Sequence, residues 1–120
     1  MASIQYGSFD KPTETRTPPK TRVDVLTLGS VSASRVTFEP GWKWSECIKP
    51  IAGTDSCQLR HVGMVERGSI TVRGADGTEV VASAGSVYVI EPGHDAWVNG
   101  NEPVVAYEFD SHSAEKYAAK

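Results

Sequence analysis

Side chains able to do chemistry near neutral pH are scarce in this chain, which has three histidines and two cysteines in 120 residues. Two of the histidines bracket one run of alternating apolar residues and turns, HVGMVERGSITVRGADGTEVVASAGSVYVIEPGHDAW, which starts at His61 and passes His94 near its end. An imidazole titrates near neutrality, so His61 is a candidate acid/base group at a pocket wall and His94 a second one. Both cysteines, Cys47 and Cys57, precede this run. A shell of His61, His94 and one of the thiols offers nitrogen and sulfur donors, which suit zinc or ferrous iron better than magnesium. Three protein ligands and an open position make a catalytic zinc site, and these residues suffice for one. Without metal, His61 remains a proton-transfer residue to which a thiol can hydrogen-bond. The plainest alternative is packed imidazoles and small buried thiols.

A second set of residues reads as a ligand pocket. In GWKWSECIKP, Trp42 and Trp44 share one face of an expected strand with Lys43 between them. Trp44 then serves as a pocket wall and Lys49 as an anchor for the carboxylate of a small organic acid. Cys57 and Trp97 complete the set, although Trp97 shares Asp95's strand face and packs equally well in a core. Asp95, in EPGHDAW, is placed to bond neighbouring backbone amides.

The elements that must position these groups are strands. Val23 and Val25, Val36 and Phe38, Val62 and Met64, and Ile70 and Val72 alternate with period two. Leu26 and Leu28 take the opposite parity to Val23 and Val25, which calls for a bulge or for cover on both faces. Turn signals such as ERGS, GADG, SAG and NGNEP separate the runs at short intervals. Eight or nine such strands make an all-β sandwich or barrel, with Val36, Phe38, Val87, Val89 and Val105 expected in its core. Residues 1–20, ending in TRTPPK, form an extended arm, residues 21–110 the body, and residues 111–120 a tail in which HSAEKYAAK reads as a short helix.

Twelve basic and fifteen acidic residues give a formal charge of -3. With no basic run, this argues against nucleic acid or an anionic membrane as partner. No stretch approaches the roughly 18 apolar residues of a membrane span. A basic leader with an apolar core is also missing, so a cytoplasmic protein with free thiols is expected.

The stretch VGMVERGSITVRGADGTEVVASAGSVYVIEPGHDAWV resembles the core of a small single-domain cupin, a double-sheet jelly-roll barrel with two motifs. HVGMVERG resembles the end of the first motif, with His61 at the usual glutamate and Gly68 at the glycine. GSVYVIEPGHDAW resembles the second, with Gly85, then Glu91 where a proline is usual, then Pro92 and Gly93. Many cupins hold a divalent metal with an H-x-H pair, that glutamate and a second-motif histidine. Here the second-motif position falls on Ala96, with His94 two residues earlier, and the H-x-H pair is absent. Counting on from Gly41 puts Cys47 and Lys49 in its place, whereas counting back from His61 puts Asp55 and Cys57 there. The resemblance implies a degenerate metal-ligand set, with His61 facing inward and His94 at the barrel mouth.

Two functions follow as expectations. One is a module that binds a small organic metabolite around His61, with a remnant site for one divalent metal, zinc or iron. The other is a metal-dependent cupin enzyme, an isomerase, lyase or oxygenase of small-molecule metabolism. A homodimer is expected through the arm and RVDVLTLG, since pairing removes exposed sheet edges from water.

Overall fold

The computed structural model describes residues 3–110. The expected tail helix lies outside the described residues. In chain order the elements are β1 Glu14–Arg16, β2 Thr21–Leu28, β3 Val31–Phe38, α1 Trp44–Cys47, α2 Lys49–Ala52, β4 His61–Arg67, β5 Ser69–Arg73, β6 Glu79–Ser83, β7 Val87–Ile90, β8 Asp95–Val98 and β9 Val104–Phe109. They build two antiparallel sheets, one ordered β1-β2-β3-β9-β4-β7 and the other β6-β5-β8. The sheets face each other across a core that includes Val23, Val36, Phe38, Val65, Ile70 and Val104, giving a jelly-roll sandwich. No helix among the described residues is long and apolar enough to cross a membrane.

The mixed parity in β2 comes from cover on both faces. Its register with β3 runs unbroken from Thr21 to Leu28, so there is no bulge. Val23 and Val25 are buried on one side and Asp24 and Leu26 on the other. The N-terminal segment supplies the second cover, because β1 pairs with β2 and Gly7 lies against Leu26. Asp24 is buried under it, accepting from Thr15 Oγ1 at 2.8 Å and paired with Arg22 and Arg35. Burial raises the Asp24 pKa, but the bonds from Thr15, Arg22 and Arg35 outweigh it and hold the group below its ordinary value.

Three of the expected core residues face outward. Val36 and Phe38 are buried, whereas Val87 and Val89 are 76 % and 56 % exposed and Val105 is half-buried. On β7 it is Tyr88 and Ile90 that face inward, and on β9 it is Val104, Ala106 and Glu108. Both strands carry apolar residues on both faces, so alternation alone leaves the inward face undecided. β7 ends its sheet, and its outer side chains are exposed among the described residues.

GWKWSECIKP also departs from the expected strand. Only Lys43 is extended, pairing with Trp97, before α1 and α2 carry the chain in two short helical turns. Trp42 and Trp44 flank Lys43 and are both buried. Asp95 Oδ1 accepts from the backbone amides of Ser45 at 3.2 Å and Ala96 at 2.9 Å, tying the start of α1 to β8.

Candidate metal centre

His61 is the first residue of β4, on the inward side of the larger sheet. The loop before it returns Cys57 to the chain segment leading into β8. There the Cys57 amide donates to the His94 carbonyl at 2.8 Å, and the Gly93 amide donates to the Cys57 carbonyl at 2.6 Å. This backbone bridge holds Cys57 beside His94. The imidazole rings of His61 and His94 meet edge to face with centroids 5.0 Å apart. Cys57 Sγ lies 3.5 Å from His61 Nε2. One donor atom from each of Cys57, His61 and His94 falls within 4.8 Å of the others, and all three residues are buried.

Both imidazoles are anchored through Nδ1. His94 Nδ1 lies 2.8 Å from the Glu91 carbonyl, which only accepts, so Nδ1 carries the proton. His61 Nδ1 donates to Glu108 Oε1 at 2.9 Å, and the Tyr88 hydroxyl donates to Glu108 Oε2 at 2.7 Å. In a neutral ring this puts the lone pair on Nε2, which in His61 is the atom beside Cys57 Sγ. Orientation of histidine by a carboxylate or carbonyl behind it is the usual support of a metal ligand. Gly63 faces both Tyr88 and Glu108 across the sheet, and a methyl there would collide with the Tyr107 carbonyl.

The electrostatics favour a charged pair when the site is metal-free. Burial pushes the Cys57 thiol up, but hydrogen bonds to His61 and His94 outweigh it and bring its pKa down to about 6. For His61 burial acts downward, and the Glu108 carboxylate and the Cys57 sulfur raise it to about 10. Tyr88 is pushed well above its ordinary range by burial and by the Glu108 charge, so it stays a hydrogen-bond donor.

A cavity of about 610 Å³ opens between the sheets in front of the histidines. Its apolar wall includes Phe38, Val65, Ile70, Val72, Val104 and Ala106. His61, His94, Glu108, Tyr88, Trp42 and Trp44 also face it. Val80 of β6, on the same face as the buried Ala82, lines the cavity and is exposed, and β7 also borders it, which places its mouth between these two edge strands.

Of the residues singled out in the sequence, Cys57, His61 and His94 come together and Trp44 lines the cavity. Cys47 is buried in α1, outside the three-residue cluster, because the chain turns helical there. Cys57 is a neighbour of the histidines and not part of the cavity lining. Lys49 lies outside the cavity and reaches toward Asp55 at the surface, 3.8 Å away, so it anchors no ligand carboxylate there. Trp97 lies on the other side of β8 from the buried Ala96 and Val98, between Lys43 and Arg73. Glu108, Tyr88 and Trp42 were missed. Glu108 shares the parity of the apolar Val104 and Ala106, and a carboxylate on an apolar strand face was the signal for it.

No protein-family model matches the sequence, and no curated protein does. Solved structures match its fold. A protein of unknown function from Rhizobium leguminosarum bv. viciae 3841 is 17% identical, covering 90% of this chain and 97% of that one, with a TM-score of 0.63. An RmlC-like cupin from Shewanella frigidimarina is 18% identical over 87% of this chain and 92% of its own, with a TM-score of 0.55. An oxalate oxidase is 25% identical and covers 88% of this chain, which spans 59% of the oxidase, with a TM-score of 0.56. The two facing antiparallel sheets and these likenesses agree, and in fold the chain is a small cupin domain.

Proposed function

We propose that this cupin is a metal-dependent protein of small-molecule chemistry, holding one zinc or ferrous ion on Cys57 Sγ, His61 Nε2 and His94 Nε2 beside the cavity. The observation that carries the reading is the Nδ1 anchoring of both histidines, by Glu108 and by the Glu91 carbonyl. Spacing supports it. Zinc–sulfur and zinc–nitrogen bonds of about 2.3 and 2.0–2.1 Å at a tetrahedral angle set sulfur and nitrogen about 3.6 Å apart. Cys57 Sγ and His61 Nε2 are 3.5 Å apart. Three protein ligands leave a position for a substrate oxygen, as in catalytic zinc sites.

When bound, such an ion supplies Lewis acidity toward a ligand oxygen. The chain's own residues do the rest. Glu108 and the Glu91 carbonyl fix the tautomers of the two imidazoles, Tyr88 holds the second Glu108 oxygen, and the apolar wall excludes water from the bound molecule. Glu108 beside His61 is also a carboxylate facing the cavity, a group of the kind that serves as a general acid or base. That one similar structure is an oxalate oxidase agrees with an enzyme, without identifying this chain's reaction.

Elemental analysis of protein purified without chelator tests the reading. Near-stoichiometric zinc or iron is expected, lost in Cys57→Ser and His94→Gln and kept in Cys47→Ser. Glu108→Gln should weaken the metal about 10–100-fold, the usual effect of losing a support behind a ligand. Metal that stays bound in Cys57→Ser would place it elsewhere. A chain that takes up no zinc or iron at all would leave a metal-free binding module.

A further inference from the structure

We propose that a second copy of this chain closes the mouth of the cavity, its β7 pairing edge to edge with this one about a two-fold axis at Tyr88, so that a ligand is enclosed only in the dimer. This rests on the cavity being the ligand site of the proposed function.

The first observation is where the sheet edges lie. β7 ends the larger sheet and β6 the smaller, and the mouth opens between them. The last strand of a sheet presents a row of backbone groups that can pair with another chain, and charged side chains on the strand are a usual protection against it. β1, at the far end of the larger sheet, is three residues long and carries Glu14 and Arg16. The far end of the smaller sheet, β8, is flanked by the Lys43 and Cys57 bridges. β6 begins at Glu79, which pairs with Arg73 at 3.6 Å. β7, with the sequence VYVI, carries no charge at all.

The second observation is that β7 is complementary to itself. Residues directly opposite in an antiparallel pair share a face of the sheet and interact. Centred on Tyr88, the pairing sets Val87 opposite the partner's Val89 on the outer face, where both valines are exposed, and Tyr88 beside the partner's Tyr88 on the cavity side. The axis is then perpendicular to the sheet. Both smaller sheets fall on one side of it, and the two mouths turn toward each other. The third observation is size. Met64, Val80, Val81, Val87 and Val89 are all exposed on the strands around the mouth, and offer on the order of 500 Å² per copy, the lower limit of a specific interface. Such a dimer is weak by itself. A molecule sealed between the copies binds the dimer more tightly than the monomer, and by linkage it tightens the dimer in turn.

Ethylbenzene serves as the probe, since the wall it would meet, with Phe38, Val65, Ile70 and Val104, is apolar. Sedimentation equilibrium is run over a series of protein concentrations with and without saturating ethylbenzene, and zinc content is recorded separately. Ethylbenzene should tighten the dimer at least about tenfold, and its own affinity, read by calorimetry, should rise with protein concentration. Val87→Lys, on the outer face of β7, should be monomeric, bind ethylbenzene at least about tenfold more weakly and keep its zinc. If that variant fails to fold, the concentration series on the unaltered protein still decides. A chain that stays monomeric with and without ethylbenzene would overturn the inference. So would a dimer that survives Val87→Lys, an ethylbenzene affinity independent of protein concentration, or no ethylbenzene binding at all. Zinc bound by a chain that stays monomeric would remove the closure and leave the metal site, whereas coupling in protein that takes up no zinc would sustain the closure and remove the metal.

Discussion

At the residue scale, the behaviour of the site turns on one short hydrogen-bonded line, Cys57 to His61 to Glu108 to Tyr88. In the metal-free protein His61 is raised from an ordinary 6.5 to about 10, and Cys57 is lowered from 9.0 to about 6. A raised histidine stabilises the fold fully below pH 6.5 and loses that as pH rises through 10. A lowered thiol stabilises it above pH 9.0 and loses that as pH falls through 6. Between 6.5 and 9.0 the folded and unfolded pairs bind equal numbers of protons, so their contribution is level there and declines on both sides. Urea unfolding in chelator, compared with the Cys57→Ser, His61→Gln double variant, should show that plateau. A difference that slopes between pH 6.5 and 9.0 would mean that the pair binds different numbers of protons folded and unfolded.

At the element scale, the site depends on how closely β4 lies between β7 and β9. Gly63 is the residue that permits it, since an added methyl would collide with the Tyr107 carbonyl and stand 3.0 Å from both Glu108 and the Tyr88 hydroxyl. Gly63→Ala should therefore cost about 1–3 kcal/mol as an overpacked contact. It should also weaken metal binding by displacing Glu108. Gly77→Ala separates this from backbone strain. Gly77 has a φ of +86° and nothing within 4 Å, so its alanine variant should lose only about 1–2 kcal/mol from the left-handed backbone. Metal affinity should be untouched. Chemical denaturation and zinc titration of the two variants check both expectations, and equal zinc affinities would take Gly63 out of the site.

At the scale of the whole molecule, the edge strands β7 and β6 carry exposed apolar side chains. Met64, Val87 and Val89 are exposed on neighbouring β4 and β7, and Val80 and Val81 on β6. Exposed apolar edge strands invite pairing with another chain. The edge of β2, where RVDVLTLG was expected to meet a partner, is taken by β1 of the same chain. Self-association is therefore expected through β7. Light scattering should give a dimer that Val87→Lys converts to monomer, and a dimer unchanged by that substitution would put the interface elsewhere.

Alternation and turn chemistry were enough to determine an all-β sandwich or barrel, because these depend on residues near in sequence, and the resemblance to cupins implied the jelly roll and the meeting of His61 and His94. Which thiol joins them was not determined locally. Two counts were open in the sequence, and Cys57 is the one beside the histidines because its backbone bridges His94 while Cys47 turns into a helix. The inward faces of β7 and β9 were equally ambiguous, since valines stand on both sides and only the opposing sheet decides which are covered. Lys49 and Trp97 read as pocket residues from their types, and tertiary packing sends one to the surface with Asp55 and the other between Lys43 and Arg73. Glu108 lies far along the chain from His61. That a buried carboxylate on β9 would stand behind an imidazole on β4 follows from the pairing register of the two strands, which no local pattern encodes.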